Sequence, residues 1–556
     1  MATGYVFNGK NRTLPGVYTN IESAITNPIR TATYGVLCLI DTGNDGATWG
    51  GGAGIDGELE SGKDAIYEID NLKDYKSFVK GGKFWDIGNA LFQPDGFASV
   101  GISKILMVKA ATTVAAELEM KFGDDDSDSS DSDTTLDGGT LQLQVRNEGV
   151  IGNGLLSGTN LYKGYSCKMF AGEIDSSKYI FRFYIGTWRG LDADGDNYDN
   201  IAQADAIPLM LVESPEVDDI QELIDWMEAD STFQYYFNVK DSVILGTGGI
   251  DDEDLGHYSS HNVFSGGTET YSSANITKAL EYLQDEYLNF FLCDRYGDEA
   301  QGSENGLILS HIVGDDVSYE ESMFVGGGVD SSKWTQTNGS IPTAQYFDSE
   351  SVEVIHGGVK VSSNVSGLGY KVKDQFYHAA LVAGRTLGLP PQVPSTGKGL
   401  NVIGLQHPLK KSEQRQALDN GVTVTIYDNE VSRFIILQGV TTIQKNTNFI
   451  NEDATTFSMQ IKRIKMQLNN EIKINVRRDL FNTENGVNRF TLSTKNLRDY
   501  IRSYLKTRTV TETDDNLLID FGSVTATREE DNLIARYEGE PNGEITKAFI
   551  TGVFID

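Results

Sequence analysis

The sequence has few of the residues that perform most enzyme and metal chemistry. Its 556 residues include three cysteines and six histidines, and neither Gly-x-Ser-x-Gly nor His-Glu-x-x-His occurs. Cys38 and Cys293 lie in apolar runs, which is typical of buried thiols in a reducing compartment and not of a disulfide framework. His257 and His261 have i, i+4 spacing but no third metal ligand nearby. We therefore expect no enzyme activity, no cofactor and no structural metal.

Long apolar runs are also missing. No run approaches the roughly 18 residues that a membrane-spanning helix needs, and the first residues lack the apolar core of a signal peptide. We expect a soluble chain without membrane insertion that assembles in the cytoplasm. The sequence contains 11 prolines against 59 glycines, which favours turns and β-structure.

Positive charge is scarce and unevenly distributed. The chain has 46 Lys and Arg against 80 Asp and Glu, a net charge of −34. This excess of acid argues against direct nucleic-acid binding by the chain as a whole. Residues 461–508 nevertheless contain twelve basic and four acidic residues, a local balance of 12 − 4 = +8. Such segregation favours one surface for an acidic partner, although a solvated face remains the alternative.

The basic block follows helical periodicity. Phe457, Ile461, Ile464 and Leu468 predict an amphipathic helix, and Leu497, Ile501 and Leu505 predict a second helix near 495–506. Basic residues lie on the polar side of both patterns. The predicted partner-facing residues are Lys462, Arg463, Lys465, Arg498, Arg502 and Lys506.

Three loops resemble ligand sites but depart from the required patterns. Gly52–Gly57 matches Gly-x-Gly-x-x-Gly without an adjacent strand or helix, and Gly57–Lys63 has P-loop spacing with Asp64 in place of Ser or Thr. An acidic loop offers alternating carboxylates as a weak candidate calcium site. Its candidate ligands are Asp192, Asp194, Asp196 and Asp199. Asn197 and Gln203 stand where an EF-hand has Gly and Glu, so a solvated turn is favoured.

The order of apolar patterns predicts an α/β (α+β multidomain) fold. Two continuous apolar runs, 34–40 and 102–108, indicate strands buried on both faces. Short β-like segments between 141 and 185 indicate an inserted β-rich domain, and Ser214 followed by Pro215 predicts the start of a helix. The expected segments are an N-terminal arm (1–30), core α/β (31–115), inserted domain (116–206), core α/β (207–373), C-terminal domain (374–538) and C-terminal β-arm (539–556).

Several short motifs occur in an order that resembles the contractile tail sheath family of bacteriophages and related injection machines. The resemblance is strongest over 375–556. The similar segments are Pro15–Tyr18, Tyr75–Gly81, Gly101–Ala110 (GISKILMVKA), Glu148–Gly154 (EGVIGNG), Phe376–Gly384 (FYHAALVAG), Leu418–Val424 (LDNGVTV), Phe434–Val440 (FIILQGV), Ile474–Leu480 (INVRRDL), Leu497–Leu505 and Lys547–Ile555.

The resemblance implies a structural role. Family members stack as hexameric rings around an inner tail tube, with baseplate and tail terminator proteins at the ends, and contract for genome ejection. The expected location is therefore the virion tail. It also implies that both terminal arms add strands to neighbouring subunits. The arm residues are Pro15, Gly16, Val17, Tyr18, Phe549, Val553 and Ile555. The alternatives are a tailocin or secretion-type sheath and, in another class, a calcium-dependent adhesin or glycan-binding protein.

Overall fold

The computed structural model describes most of the chain and defines its secondary structure. The described residues are 5–7, 10–12, 35–42, 66–79, 84–96, 101–123, 139–146, 149–157, 159–186, 209–245, 249–284, 286–296, 302–314, 319–328, 331–337, 339–362, 369–443, 457–476, 478–479, 493–511, 516–529 and 532–542. Among them, no helix is both long and apolar enough to cross a membrane.

Helices and strands are interspersed along the described residues, apart from a run of nine strands between α2 and α3. The helices are α1 (Leu72–Val79), α2 (Phe84–Phe92), α3 (Ile220–Ala229), α4 (Ser231–Tyr236), α5 (Asp252–Tyr258), α6 (Ser273–Leu283), α7 (Gly302–Ile312), α8 (Ser340–Phe347), α9 (Gln375–Leu387), α10 (Lys411–Asp419), α11 (Met459–Val476) and α12 (Thr494–Thr507). The strands are β1 (Tyr5–Phe7), β2 (Lys10–Arg12), β3 (Val36–Asp41), β4 (Ile66–Ile69), β5 (Lys104–Lys109), β6 (Ala111–Val114), β7 (Glu117–Phe122), β8 (Gly139–Val145), β9 (Leu155–Ser157), β10 (Asn160–Lys163), β11 (Tyr165–Ala171), β12 (Tyr179–Ile185), β13 (Leu209–Glu213), β14 (Phe237–Ile244), β15 (Asn262–Val263), β16 (Thr268–Tyr271), β17 (Phe290–Tyr296), β18 (Ser322–Gly326), β19 (Val352–Ile355), β20 (Val359–Ser362), β21 (Tyr370–Lys373), β22 (Gly404–Leu405), β23 (Val422–Asp428), β24 (Arg433–Gln438), β25 (Leu518–Glu529) and β26 (Asn532–Pro541).

The chain forms two compact units. The core unit comprises residues 35–390 and 394–459, and the terminal unit comprises 1–34, 391–393 and 460–556. The expected C-terminal domain, 374–538, is therefore divided between them. Its first part belongs to the core unit because β23 pairs with β19 in the central sheet of that unit.

The core unit is built on an eight-stranded sheet in the order β24-β23-β19-β18-β17-β3-β5-β4. The six inner strands are parallel, and the edge strands β4 and β24 pair antiparallel. All six residues of β3 are buried, as expected for a parallel strand covered on both faces. The predicted buried strands at 34–40 and 102–108 are thus β3 and β5, and the mixed fold class is confirmed.

Helices cover both faces of this sheet. On one face, Cys38 and Cys293 join a buried apolar cluster that includes Ile276 of α6 and part of α7. On the other face, α9 packs against β17, β18 and β19 and also against α2. Every residue of α9 is buried. A Cβ at Gly384 would lie 2.5 Å from the carbonyl oxygen of Ala90, so glycine is required where α9 meets α2.

The β-rich insertion has a hydrophobic core of its own. This core contains buried residues from Ala116 to Phe264, supplied by the sheets β13-β12-β11-β15 and β14-β8-β7 and by helices α3 and α4. Strands β6 and β16 pair antiparallel on either side of the insertion and bring its two ends together. The core of the insertion therefore extends in sequence beyond the predicted end at residue 206, as far as Phe264.

The terminal unit contains α11, α12 and a long hairpin. Strands β25 and β26 pair antiparallel, and Phe521, Val524 and Tyr537 pack on a small core between the helices and the hairpin. Strands β1 and β2 form a separate short antiparallel pair near the N-terminus. The predicted arm residues at 15–18 and 549–555 lie outside the described residues.

Candidate functional site

The strongest candidate for a functional surface is α12 in the terminal unit. Its N-cap is Ser493, whose hydroxyl oxygen accepts a hydrogen bond from the Asn496 backbone N–H at 3.1 Å. Such a cap satisfies one of the N–H groups that a helix start leaves without a partner. Leu497, Ile501 and Leu505 form the buried side of the helix. The local sequence therefore determines both the helix and its orientation.

The opposite side of α12 carries four exposed basic residues, which we call the basic stripe. Its members are Lys495, Arg498, Arg502 and Lys506. Arg498 pairs with the adjacent Asp499 at 2.9 Å, but the two side chains are 44% and 50% exposed, so this pair is weak. In the part of the chain that the structure describes, Arg502 and Lys506 form no ion pair. The stripe therefore presents positive charge directly to solvent.

The other predicted basic residues lie on α11 in a different environment. Lys462 and Arg463 are only 8% and 1% exposed, and Lys465 is half-buried. The Arg463 guanidinium donates a hydrogen bond to the backbone oxygen of Val393 at 3.2 Å. The expectation of an exposed basic face on α11 is therefore corrected, because this helix is covered on its polar side as well. Of the six predicted basic residues, the exposed ones are the three on α12.

A buried polar cluster joins α11 to α12, and sequence reasoning missed it. The Glu471 carboxylate accepts hydrogen bonds from Gln467 Nε2 at 2.6 Å and from the Tyr504 hydroxyl, and it pairs with Arg508 Nη2 at 2.7 Å. Burial, followed by the negative charge of Glu471, raises the pKa of Tyr504. Burial lowers the pKa of Arg508, but Glu471 raises it overall. We call these four residues the Glu471 cluster.

The remaining candidate sites contribute no functional centre in the described residues. The two glycine-rich motifs at 52–63 and the acidic loop at 192–199 lie outside them. His257 is exposed, whereas His261 Nδ1 lies 2.7 Å from the Ser166 hydroxyl. Burial, with a smaller contribution from Lys168, lowers the pKa of His261 to about 4. These two histidines therefore have separate environments and do not form the zinc site that their spacing allows.

A cluster of three carboxylates, which sequence reasoning did not select, lies at the start of α3. Asp218, Asp219 and Glu222 have oxygens within 4.8 Å of one another. Asp219 caps α3 by accepting from the Glu222 N–H at 2.7 Å, and Lys178 lies 3.3 Å from Asp218. These contacts account for the cluster as a helix cap with a surface ion pair.

Comparison with solved structures identifies the fold. The structure is similar to a sheath tail protein from Listeria innocua, with a TM-score of 0.51 and 13% sequence identity. The similar region covers 93% of this chain and 94% of the Listeria protein. The structure is also similar to a sheath tail protein from Desulfitobacterium hafniense, over 95% of this chain and 100% of that one, at 13% identity with a TM-score of 0.54. This chain has the tail sheath fold.

The similarity to the sheath tail proteins extends across nearly the whole chain and includes both the core unit and the terminal unit. It confirms the fold that the ordered motifs implied. No family model and no curated protein matches the sequence. The sheath fold is thus recognised by the arrangement of its elements at a sequence identity of 13%.

Proposed function

We propose that this chain is a non-enzymatic structural subunit of a contractile tail sheath. The observation that supports the proposal most directly is the sheath fold over more than nine-tenths of the chain, matched by similar coverage of the sheath tail proteins. Subunits stack as hexameric rings around an inner tail tube, with baseplate and terminator proteins at the ends. Contraction drives the tube through a host envelope and serves genome ejection from a virion.

The hairpin of the terminal unit supports assembly by strand addition. Strands β25 and β26 are twelve and ten residues long, and within the described residues they form a two-stranded sheet with no third strand. A sheet edge offers a row of backbone donors and acceptors to an incoming strand. Arms containing Val17 or Phe549 from neighbouring subunits would add to these edges. Interfaces of this heterologous kind generate helical arrays.

Electron microscopy of the purified protein tests the assembly proposal. We expect hollow tubes of regular diameter for the full chain and dispersed subunits after deletion of 545–556 or 1–18. If the full chain remains monomeric under every condition tested for polymerisation, the sheath proposal is contradicted. Long regular tubes from either deletion variant contradict strand addition by the arms while leaving the sheath proposal intact.

We further propose that the basic stripe binds an acidic inner tube. An interface of exposed charges gives fast association and is weakened by salt, which suits a sheath that must release the tube. Replacing Arg498, Arg502 and Lys506 by glutamate should preserve sheath tubes and weaken co-sedimentation with the inner tube. The matched control is Arg415→Glu, an exposed arginine of α10. Unchanged tube binding by the triple variant contradicts this role of the stripe.

The same assembly could belong to a tailocin or a secretion-type injection device. The proposals for the rings, tube and arms are the same for all three systems, so the distinction depends on the particle that contains the subunit. Co-purification of packaged DNA with the native particle assigns the chain to a phage. Intact particles without DNA assign it to a tailocin or injection device.

A further inference from the structure

A polar pocket opens in the β-rich insertion of the core unit. It lies where β8 and β14 meet the turn between α3 and α4, and it has a volume of about 470 Å³. Pockets for small ligands measure roughly 300–1,000 Å³. Phe233 contributes an apolar part to the pocket, and its polar lining consists of Gln144, Arg146, Glu228, Gln234, Asn238 and Lys240. We call this the insertion pocket.

Strand geometry explains why polar groups converge there. Gln144 of β8 is paired directly with Asn238 of β14, and Arg146 lies two residues beyond Gln144, so all three share one face of the sheet. The intervening residues Val145 and Phe237 point to the hydrophobic core. The pocket wall is therefore the polar face of the same strands whose apolar face builds the insertion.

A register shift in β14 adds a further side chain to this wall. The pairing of β14 with β8 shifts between Val239 and Asp241, so Lys240 occupies a bulge. Bulges change the direction of side chains and are frequent next to functional sites. The Lys240 ammonium lies 2.7 Å from both carboxylate oxygens of Glu117. Lys240 is thereby neutralised within the sheet.

Arg146 supplies a guanidinium that contacts no carboxylate in the described residues, and Glu228 is the acidic residue of the same lining. Arg146 Nε donates to Asn238 Oδ1 at 2.6 Å, and the Arg146 side chain is exposed. Within the described residues, no carboxylate pairs with its two terminal amino groups. A planar guanidinium with free terminal N–H groups matches a carboxylate through two parallel hydrogen bonds. Arg146 therefore offers a directed contact to one ligand carboxylate.

The side-chain amides provide the complementary hydrogen bonds. Asn238 uses its oxygen for Arg146, which leaves its NH₂ group to donate to a ligand. Gln144 Nε2 lies 3.5 Å from Glu117 Oε1. This contact does not use the side-chain oxygen of Gln144, which can accept a hydrogen bond from a ligand. A hydroxyl group can donate one hydrogen bond and accept another, so it can bond to the Asn238 NH₂ group and to the Gln144 oxygen. The wall thus suits a ligand with adjacent hydroxyls near a carboxylate.

We propose that the insertion pocket binds an acidic saccharide. A uronic-acid carboxylate pairs with the guanidinium of Arg146, and the ring hydroxyls bond to the amides of Gln144 and Asn238. The side-chain oxygen of Gln234 accepts a further hydroxyl, since its Nε2 donates to the Glu228 carbonyl oxygen. The apolar side chain of Phe233 lies behind the ligand. The proposal concerns only the insertion and is independent of the proposed sheath assembly.

Titration of the full-length protein with hyaluronan tetrasaccharide, which contains glucuronate, tests this assignment. Binding is measured by saturation-transfer NMR and calorimetry, with chitotetraose as the neutral probe. We expect saturable binding of the acidic probe and at least tenfold weaker binding of the neutral one. Arg146→Gln should weaken binding of the acidic probe at least tenfold, whereas Arg415→Gln on α10 should leave it unchanged.

Three outcomes overturn the assignment. They are the absence of saturable binding of the acidic probe, equal affinity for the two probes, and undiminished binding by Arg146→Gln. Circular dichroism and thermal melting of Arg146→Gln establish that the variant is folded before its affinity is compared. Because electron microscopy of tubes is a separate readout, failure of the saccharide proposal is distinguishable from failure of the sheath proposal.

Discussion

The Glu471 cluster makes a quantitative prediction about the stability of the terminal unit. Glu471→Leu removes a carboxylate that is 1% exposed and leaves the Arg508 guanidinium, 17% exposed, without its partner. The Tyr504 hydroxyl loses its acceptor as well. Breaking one side of a buried ion pair costs roughly 3–5 kcal/mol. Because Arg508 retains some solvent contact, we expect a loss near the lower limit, about 3 kcal/mol.

Hydrogen exchange of the 460–476 peptides is the appropriate assay. All five tryptophans lie outside 460–556, so tryptophan fluorescence does not report on this unit. A loss of about 3 kcal/mol corresponds to a roughly hundredfold fall in amide protection if these amides exchange by opening of the whole unit. Peptides from β3 and β17 in the core unit serve as the internal control and should keep their protection.

A double-mutant cycle separates the ion pair from simple packing. Arg508→Met alone should also destabilise the unit, since it leaves the Glu471 carboxylate buried without its cation. The double variant Glu471→Leu/Arg508→Met should lose less protection than the sum of the single variants, because no unpaired charge remains. Strictly additive losses, or a change in protection below fivefold for Glu471→Leu, would refute the reasoning.

Three predictions concern the core unit. Burial raises the pKa of Glu321. Its contribution to stability is therefore full below its unfolded-state pKa and declines as pH rises toward its folded-state pKa. Glu321→Met should consequently raise the melting temperature at pH 8 more than at pH 5. Burial lowers the pKa of His378 to about 4, so acidification from about pH 6.5 to 4 should remove about 3 kcal/mol of stability. Urea titrations followed by tryptophan fluorescence measure this loss, which should be smaller in His378→Gln. Phe183 is fully buried against other aromatic rings, among them Trp226, so Phe183→Ala should cost about 3–5 kcal/mol. Urea unfolding followed by tryptophan emission measures this cost, and a loss below about 1 kcal/mol contradicts that packing.

The elements that sequence reasoning predicted well have strong local signals. The apolar runs near 34–40 and 102–108 are the buried strands β3 and β5, and the helix predicted near 495–506 is α12 (Thr494–Thr507). In each case, the period of the apolar residues and the flanking polar residues agree. A continuous apolar run requires cover on both faces, so β3 and β5 also indicated a parallel sheet.

The start of α3 shows how tertiary contacts override a local signal. Ser214 and Pro215 predicted a helix start, but the helix begins at Ile220 with Asp219 as its cap. The Ser214 hydroxyl instead accepts a hydrogen bond from the backbone N–H of Phe181 at 2.8 Å. The same hydroxyl can cap a helix or pair with a strand, and the distant strand β12 determines which occurs.

Sequence by itself determined the excess of acid, the buried strands of the sheet, the helix that carries the basic stripe and the order of motifs shared with sheath proteins. Those features depend on residues close together in the chain. Only the tertiary structure decided that Arg463 and Glu471 are buried whereas Arg502 is exposed. Burial of a charged side chain depends on what packs over it from distant segments, and the helical period of α11 contains no information about that cover.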